Sequence, residues 1–256
     1  VALDHPHHAF FTKDTDGNTV IVDKDFMNTA LSLGDITDAQ EEYKIYTQWM
    51  ELRVADMSFV LDELKAAVQS STLDKSWFIS GIDSDAISSV LGMIDISKIG
   101  VMGHSLGGAT AVAIGRDRSD VSAVIDMDGT MLSEYTGVID IELEVRDEPY
   151  DVPVLEFVNW NSYSLLPEYR KEGKIYPNDV LIRNAAEGFS ATLRDTRHMD
   201  FTDLPLLSPT LANLLGDMGS GDRSTEESMM IVNSLVLKFF NCYLKGEGTF
   251  TAQDIY

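Results

Sequence analysis

Residues 99–110, IGVMGHSLGGAT, place a serine between glycines at the end of a short apolar run. The apolar run is typical of a buried strand, and the small residues after Ser105 are typical of a helix that packs closely on a sheet. Glycines at 103 and 107 permit the tight strand-to-helix turn that exposes a nucleophile. Ser105 is therefore predicted to be a nucleophile, with the backbone N–H of Leu106 as an oxyanion donor. The alternative is a purely structural, glycine-rich turn.

The rest of the chain alternates short apolar runs with segments of helical periodicity. Further strands are predicted at residues 121–129, 152–160 and 188–196. Helices are predicted at 39–70, at 84–92 with a cap at Asp83 or Ser84, after Ser105, and at 225–244. This alternation is typical of α/β proteins, with a mostly parallel sheet flanked by helices. A chain of 256 residues can form one such domain, so we expect a single domain over 1–256.

Two kinds of connecting segment stand out. Residues 11–22 predict a β-hairpin around Asp16-Gly17. A calcium loop is the alternative there, but the glycine comes too early for an EF-hand and no glutamate closes the loop. The segments 23–38 and 207–225 are predicted to be long loops, either ordinary surface excursions or a cover over an apolar acyl site.

Composition and charge exclude several classes of function. The chain is 44% hydrophobic and carries a net charge of −23, which argues against a nucleic-acid partner. No apolar run approaches the roughly 20 residues of a membrane span, so no transmembrane segment is expected. Cys242 is the single cysteine, which excludes an intrachain disulfide. Its apolar surroundings predict an inert, buried position.

A serine nucleophile needs a base. In α/β-hydrolases the chain order is serine, acid, histidine, so only His198, in a loop after a predicted strand, can be that base. The other histidines precede Ser105 and are His5, His7, His8 and His104. A metal site built from the first three lacks an accompanying Cys or acidic pattern, so we expect a solvated loop and no metal. His104 is expected to support the turn.

Three carboxylates compete for the role of the acid. The segment VLEFVNWNS offers Asn159 but no aspartate, and Glu156 lies in the middle of the predicted strand. The preceding strand ends in Asp126 and Asp128, which alternation places on one face. Asp128 lies nearer the carboxyl edge, where active sites of open α/β sheets form. We therefore predict that Asp128, rather than Asp126, fixes the tautomer of His198.

Three segments in chain order, GHSLGGAT, AVIDMDGTM and RHMDFTDLPLLSP, carry a family resemblance. They resemble the nucleophile elbow, the acid strand and the histidine loop of plasma-type platelet-activating-factor acetylhydrolases, α/β-hydrolases close to the dienelactone hydrolases. The match includes Asp128 three residues before Met131, and Phe201 and Asp203 after His198. The resemblance covers most of the chain. It implies an α/β-hydrolase fold and hydrolysis of esters with small or oxidised acyl groups, without metal or cofactor.

The start of the chain departs from that pattern. In the family, further strands precede residue 1, together with a loop that supplies the second oxyanion N–H. VALDHPHHAF resembles the strand that follows this loop, so one strand of the sheet would be missing beside the nucleophile strand. Buried backbone would then lack partners on both sides of the gap. We therefore expect an N-terminal segment of the same polypeptide to complete the sheet and to supply the second donor.

The combined expectation is a serine esterase, or lipase-like hydrolase, acting on a small-molecule ester or lipid through an acyl-enzyme. A peptidase or amidase on the same fold is the first alternative. It would need a charged anchor for the substrate terminus, and the sequence shows no obvious one, although Arg183, Arg194 and Arg197 stay open as candidates. A catalytically inactive binding module is the second alternative, and the presence of all three triad residue types in order argues against it.

Overall fold

A computed structural model of the protein describes residues 1–70, 84–214, 221 and 223–256. These residues divide into two compact units. The first comprises Val1–Ser97 with Asp140–Glu142, and the second comprises Lys98–Ile139 with Leu143–Tyr256. The single domain expected over the whole chain stays a prediction.

The first unit begins with an antiparallel hairpin, as predicted. Strand β1 (Phe11–Lys13) pairs with β2 (Thr19–Ile21). The carboxylate of Asp14 accepts the backbone N–H of Asn18 at 2.8 Å across the turn. Gly17 has a φ of +84°, which glycine adopts without strain. Asp14 is thus used to close a turn.

The helices of the first unit correct one prediction and confirm another. They are α1 (Lys24–Leu31), α2 (Ala39–Ser70) and α3 (Ser84–Leu91). The long helix over 39–70 is confirmed, and α3 lies where a short helix was predicted, although Asp83 lies outside the described residues. The prediction of a loop at 23–38 is wrong, because α1 occupies much of this segment. Asp23 caps α1 by accepting the N–H groups of Asp25 and Phe26, each at 2.9 Å.

The N-terminal histidines do not form the solvated loop that we expected. His5 is only 7% exposed, and its Nδ1 lies 2.9 Å from the carboxylate of Asp56. His8 stacks on Phe26 and its Nδ1 accepts Nε–H of Arg53 at 3.2 Å. Burial, followed by the charge of Arg53, lowers the pKa of His8 to about 4. The sequence predicted a strand within residues 1–10. This prediction is wrong, because these residues form no strand and no described strand pairs with them.

The second unit is built on a parallel sheet, as the alternation of strands and helices predicted. The strands beyond residue 98 are β3 (Ile99–His104), β4 (Val121–Met127), β5 (Tyr135–Ile139), β6 (Glu142–Val145), β7 (Val154–Asn159) and β8 (Gly188–Leu193). Four of them form the parallel sheet in the order β3-β4-β7-β8, and β5 pairs with β6 separately. Within the described part of the chain, β3 is an end strand. That earlier strands lie beyond it stays a prediction.

Helices flank this sheet. They are α4 (Leu106–Asp117), α5 (Trp160–Lys171), α6 (Pro177–Asn184), α7 (Leu204–Leu207), α8 (Pro209–Leu214) and α9 (Thr225–Lys245). The helices after Ser105 and at 225–244 are thereby confirmed. α8 occupies part of the loop predicted at 207–225, and residues 215–220 and 222 lie outside the described residues. None of the described helices is long and apolar enough to cross a bilayer.

Both faces of the sheet are covered, which explains the nearly continuous apolar sequence of β4. On one face, α4 lies so close that a side chain at Gly115 would collide with Val124. On the other face, α9 packs on a cluster of buried apolar residues that comprises Ala123, Ile125, Leu155, Phe157, Ala191, Leu193, Phe201, Val232, Leu235, Phe239 and Phe250. Cys242 is half-buried at the margin of this cluster, so it is less enclosed than its sequence context suggested.

Candidate active site

The turn at Ser105 has the strained geometry expected of a nucleophile elbow. Ser105 follows β3 with φ 56° and ψ −126°, a positive φ that residues other than glycine rarely adopt. Its backbone N–H donates to the carbonyl of Met127 at 2.9 Å. A Cβ at Gly103 would lie 2.2 Å from the backbone of Gly107, so only glycine fits there. Leu106 is the first residue of α4, where backbone N–H groups point outward from the helix.

Asp128 is held on the adjacent strand end. It follows β4 with a φ of +60°, so the alternation of the strand does not set its direction. Its carboxylate is 4% exposed and receives three hydrogen bonds. Oδ1 accepts the backbone N–H of Asn159 at 2.7 Å, and Oδ2 accepts the Nδ2–H of the same residue at 2.5 Å. Oδ2 also lies 2.5 Å from Nδ1 of His198, and because a carboxylate only accepts, Nδ1 is the donor.

His198 opens a short 3₁₀ helix, His198–Phe201, in the histidine loop, which comprises residues 194–203 and follows β8. Its side chain is 36% exposed. The buried carboxylate of Asp200 accepts the N–H of Arg197 at 2.8 Å, and the N–H of Asp200 donates to the carbonyl of Arg197 at 3.1 Å, so the two residues close the loop. The imidazole therefore projects from a loop whose backbone is stabilised by hydrogen bonds between its own residues.

His104 joins the nucleophile strand to this loop. Its Nε2 lies 2.9 Å from the backbone carbonyl of His198, so that nitrogen is the donor. The two imidazole rings lie 4.3 Å apart between centroids. Burial, followed by the charge of His198, lowers the pKa of His104 to about 4, which keeps the ring neutral near pH 7. That His104 supports the elbow stays a prediction, and the structure places its ring against the histidine loop.

The two other candidate acids lie deeper in the sheet. Asp126 is fully buried and accepts the N–H of Gly129 at 3.1 Å. Burial, followed by the charges of Glu156 and Asp128, raises the pKa of Asp126 well above its usual range. Burial likewise raises the pKa of Glu156 to about 7. Of the three carboxylates considered, only Asp128 hydrogen-bonds the imidazole.

The predicted residues therefore all lie at the carboxyl edge of the sheet. The N–H of Ser105 donates to the carbonyl of Met127, the residue before Asp128. His104, the residue before Ser105, contacts His198. The arrangement provides a hydroxyl, an imidazole and a buried carboxylate in one region of the second unit. Among the described residues, no group of three or more His, Cys, Asp or Glu side chains is arranged to hold a metal ion.

Comparison with known proteins identifies the family. The model of the family described as "Platelet-activating factor acetylhydrolase, isoform II" matches residues 9–254. The chain belongs to this family. The resemblance inferred from the elbow, the acid strand and the histidine loop is thereby confirmed. No significant match is found among curated proteins.

A solved structure similar to this acetylhydrolase-family chain confirms the fold class. It is a ferulic acid esterase from Streptomyces cinnamoneus, aligned with a TM-score of 0.57 at 22% identity. The alignment covers 96% of this chain and 59% of that chain, so the sequence spans little more than half the length of the esterase. At this identity the likeness concerns the α/β-hydrolase fold alone.

One residue of this family member was missed as a functional residue at the sequence level. Asn159 was noted only because its strand carries no aspartate, yet it supplies two of the three hydrogen bonds to Asp128. It also caps α5, since its Oδ1 accepts the N–H of Ser162 at 2.9 Å. A polar residue at the end of a fully buried strand is a signal that could have been used.

Proposed function

We propose that this member of the acetylhydrolase family is a serine hydrolase that cleaves carboxylic esters. Ser105 would be the nucleophile, His198 the general base and Asp128 the residue that orients the base. The observation that carries the proposal is the hydrogen bond from Nδ1 of His198 to the buried carboxylate of Asp128. It occurs beside a serine held in a strained strand-to-helix turn.

The geometry supports a specific role for each of these three residues in the reaction. With its Nδ1 proton held by Asp128, the imidazole of His198 presents Nε2 as the basic nitrogen. Nε2 takes the proton of Ser105 as Oγ attacks the ester carbonyl, and the buried carboxylate stabilises the imidazolium. The imidazolium then protonates the departing alcohol, which leaves an acyl-enzyme. A water molecule, deprotonated by the same imidazole, releases the acid and restores Ser105.

The oxyanion formed in each half of the cycle needs donors. The N–H of Leu106 is one, because it lies at the N-terminus of α4, where the helix dipole also favours negative charge. The acetylhydrolase description of the family favours an ester with a short acyl group as substrate. A panel of p-nitrophenyl esters of increasing acyl length would define this preference, and we expect kcat/KM to be highest for acetyl or butyryl esters.

The decisive test combines turnover with covalent labelling. The wild-type protein is expected to hydrolyse p-nitrophenyl acetate and to react with a fluorophosphonate probe. Ser105→Ala should abolish both signals, whereas Ser164→Ala, a change at an exposed serine of α5, should leave both intact. Labelling that persists in Ser105→Ala would refute the assignment of the nucleophile. Faster turnover of aminoacyl anilides than of esters would instead favour an amidase.

A further inference from the structure

A buried asparagine on α6 contacts the loop that carries the acid. Asn178 is the second residue of α6 and is 1% exposed. We propose that Asn178 is a positioning residue for catalysis: it holds the acid loop, residues 128–131, so that the carboxylate of Asp128 meets His198. This inference rests on the proposed function, since it assigns Asn178 a part in that reaction.

The three polar contacts of Asn178 use both N–H donors and the carbonyl oxygen of its carboxamide. Nδ2 donates to the carbonyl of Gly129 at 2.8 Å and to Oε1 of Glu156 at 2.6 Å. Oδ1 accepts the N–H of Met131 at 3.0 Å. Aspartate would offer no donors to the carbonyl of Gly129, and leucine would offer nothing, so the contacts specify an amide.

The acid loop needs such a partner. Asp128 has a left-handed backbone conformation, which costs free energy and persists only where surrounding contacts enforce it. Gly129 and Met131 are buried, so their carbonyl and N–H groups would be left without partners if the carboxamide were removed. Asn178 therefore satisfies the backbone immediately after the strained residue and limits where that backbone can move.

Glu156 connects the carboxamide of Asn178 to the sheet. It lies on β7 and is 5% exposed. Its Oε1 accepts from Asn178, and its Oε2 accepts the hydroxyl of Ser190 on β8 at 2.9 Å. Because the backbone N–H of Met131 can only donate, Oδ1 must point toward it, and the NH₂ group then faces Glu156. The acid loop is thus connected to β7 and β8 through the side chains of Asn178 and Glu156.

The consequence for catalysis follows from the sensitivity of proton transfer to distance. Displacing a reacting group by about 1 Å costs roughly 100-fold in rate. A carboxylate that retreats from the imidazole also stabilises the imidazolium less, so the base becomes protonated only at lower pH. Loss of Asn178 should therefore reduce kcat and move the acidic limb of the pH–rate profile to lower pH, while leaving KM nearly unchanged.

The experiment compares Asn178→Ala and Asn178→Asp with Asn184→Ala as the control. Asn184 lies on the same helix, and among the hydrogen bonds described its side chain contacts only Asp147, which is exposed. We expect both changes at 178 to lower kcat for p-nitrophenyl acetate by about 10–100-fold with KM within about two-fold. Asn184→Ala should match wild type. Wild-type kcat, KM and pH profile in both Asn178 variants would overturn the proposal.

A double-mutant cycle with Asp128→Asn separates positioning from a general loss of stability. If Asn178 acts through Asp128, adding Asn178→Ala to Asp128→Asn should reduce kcat no more than about two-fold further. Full multiplication of the two effects would contradict the proposal. Should Asn178→Ala fail to fold, as judged by thermal unfolding, the nearly isosteric Asn178→Asp variant carries the same cycle.

A readout on the resting protein keeps this inference distinct from the proposed function. The Nδ1 proton of His198, bonded to Asp128, should give a low-field ¹H resonance that Asp128→Asn abolishes. It should shift or broaden in Asn178→Asp and remain in Asn184→Ala. An unchanged resonance in Asn178→Asp contradicts the positioning role even if the protein hydrolyses no ester. Absence of ester hydrolysis in wild type, with the resonance responding as expected, contradicts only the proposed function.

Discussion

Asn159 donates twice to Asp128, from its backbone N–H to Oδ1 and from its side chain to Oδ2. Oδ2 of Asp128 also accepts the Nδ1–H of His198. Because Asn159 ends β7 and Asp128 follows the neighbouring strand β4, the parallel sheet itself sets the distance between acid and donor. The imidazole therefore meets a carboxylate whose position is defined by the sheet.

Replacing that donor with an acceptor should disable the acid. Asn159→Asp keeps an oxygen to cap α5 but places a second carboxyl group against Asp128. Two carboxylates at this distance cannot both ionise readily, so they share a proton and the imidazolium loses part of its counter-charge. We expect kcat for p-nitrophenyl acetate to fall by about 10–100-fold. The matched control is Asn161→Asp, and equal activity in the two variants would contradict the role of Asn159.

The two aspartates at the end of β4 should respond very differently to amide substitution. Asp128→Asn is expected to lower kcat by about 10³–10⁴-fold, because an amide can no longer stabilise the imidazolium or hold its tautomer. Asp126→Asn should retain activity within about ten-fold. Burial raises the pKa of Asp126 well above its usual range, which favours the neutral carboxyl group that an amide resembles, and an amide oxygen can still accept the N–H of Gly129. Similar losses of kcat in both variants would show that the acid is misassigned.

His104 is expected to matter through its hydrogen bond. His104→Phe keeps an aromatic ring beside His198 but removes the donor to its carbonyl, and we expect a fall in kcat of about ten-fold. His104→Gln retains a donor of similar reach and should recover most of the activity. Since burial holds the pKa of His104 at about 4, His104→Gln and wild type should share one pH–rate profile between pH 5 and 8. A changed acidic limb in His104→Gln would mean that His104 itself titrates there.

Much of the second unit could be predicted from the sequence because its signals are local. The apolar runs and the glycines around Ser105 fix strands and a turn through neighbours along the chain. Asn159 and Asn178 could not be predicted this way, because their partners lie 31 and 49 residues away in sequence. Asp128 was chosen over Asp126 from its position near the carboxyl edge of the strand, whereas its left-handed backbone conformation is not indicated by the strand pattern.

The errors in the first unit have a similar origin. His5 was expected in a solvated loop because its partner, Asp56, lies 51 residues away on α2. Helix α1 was missed although Asp23 is a good capping residue, because this helix has only eight residues and buries none of its side chains. The capping signal at Asp23 could have located the start of this helix.

The burial of Glu156 leads to a prediction about stability that is independent of catalysis. Burial raises its pKa to about 7, so between about pH 4.5 and 7 the folded state keeps a proton that the unfolded chain has released. This contribution to the free energy of unfolding is fully present below pH 4.5 and is lost as the pH rises through 7. Glu156→Gln is neutral at every pH and can still accept from Asn178.

Glu156→Gln and wild type should therefore have similar free energies of unfolding at pH 5, whereas at pH 8 the variant should be more stable by on the order of 3 kcal/mol. Urea unfolding at the two pH values measures this difference, and effects of the buried histidines cancel because both proteins contain them. Glu168→Gln, at an exposed position on α5, serves as the control and should follow wild type at both. A Glu156→Gln variant that loses stability relative to wild type between pH 5 and 8 would mean that Glu156 is buried as a carboxylate, stabilised by Asn178 and Ser190.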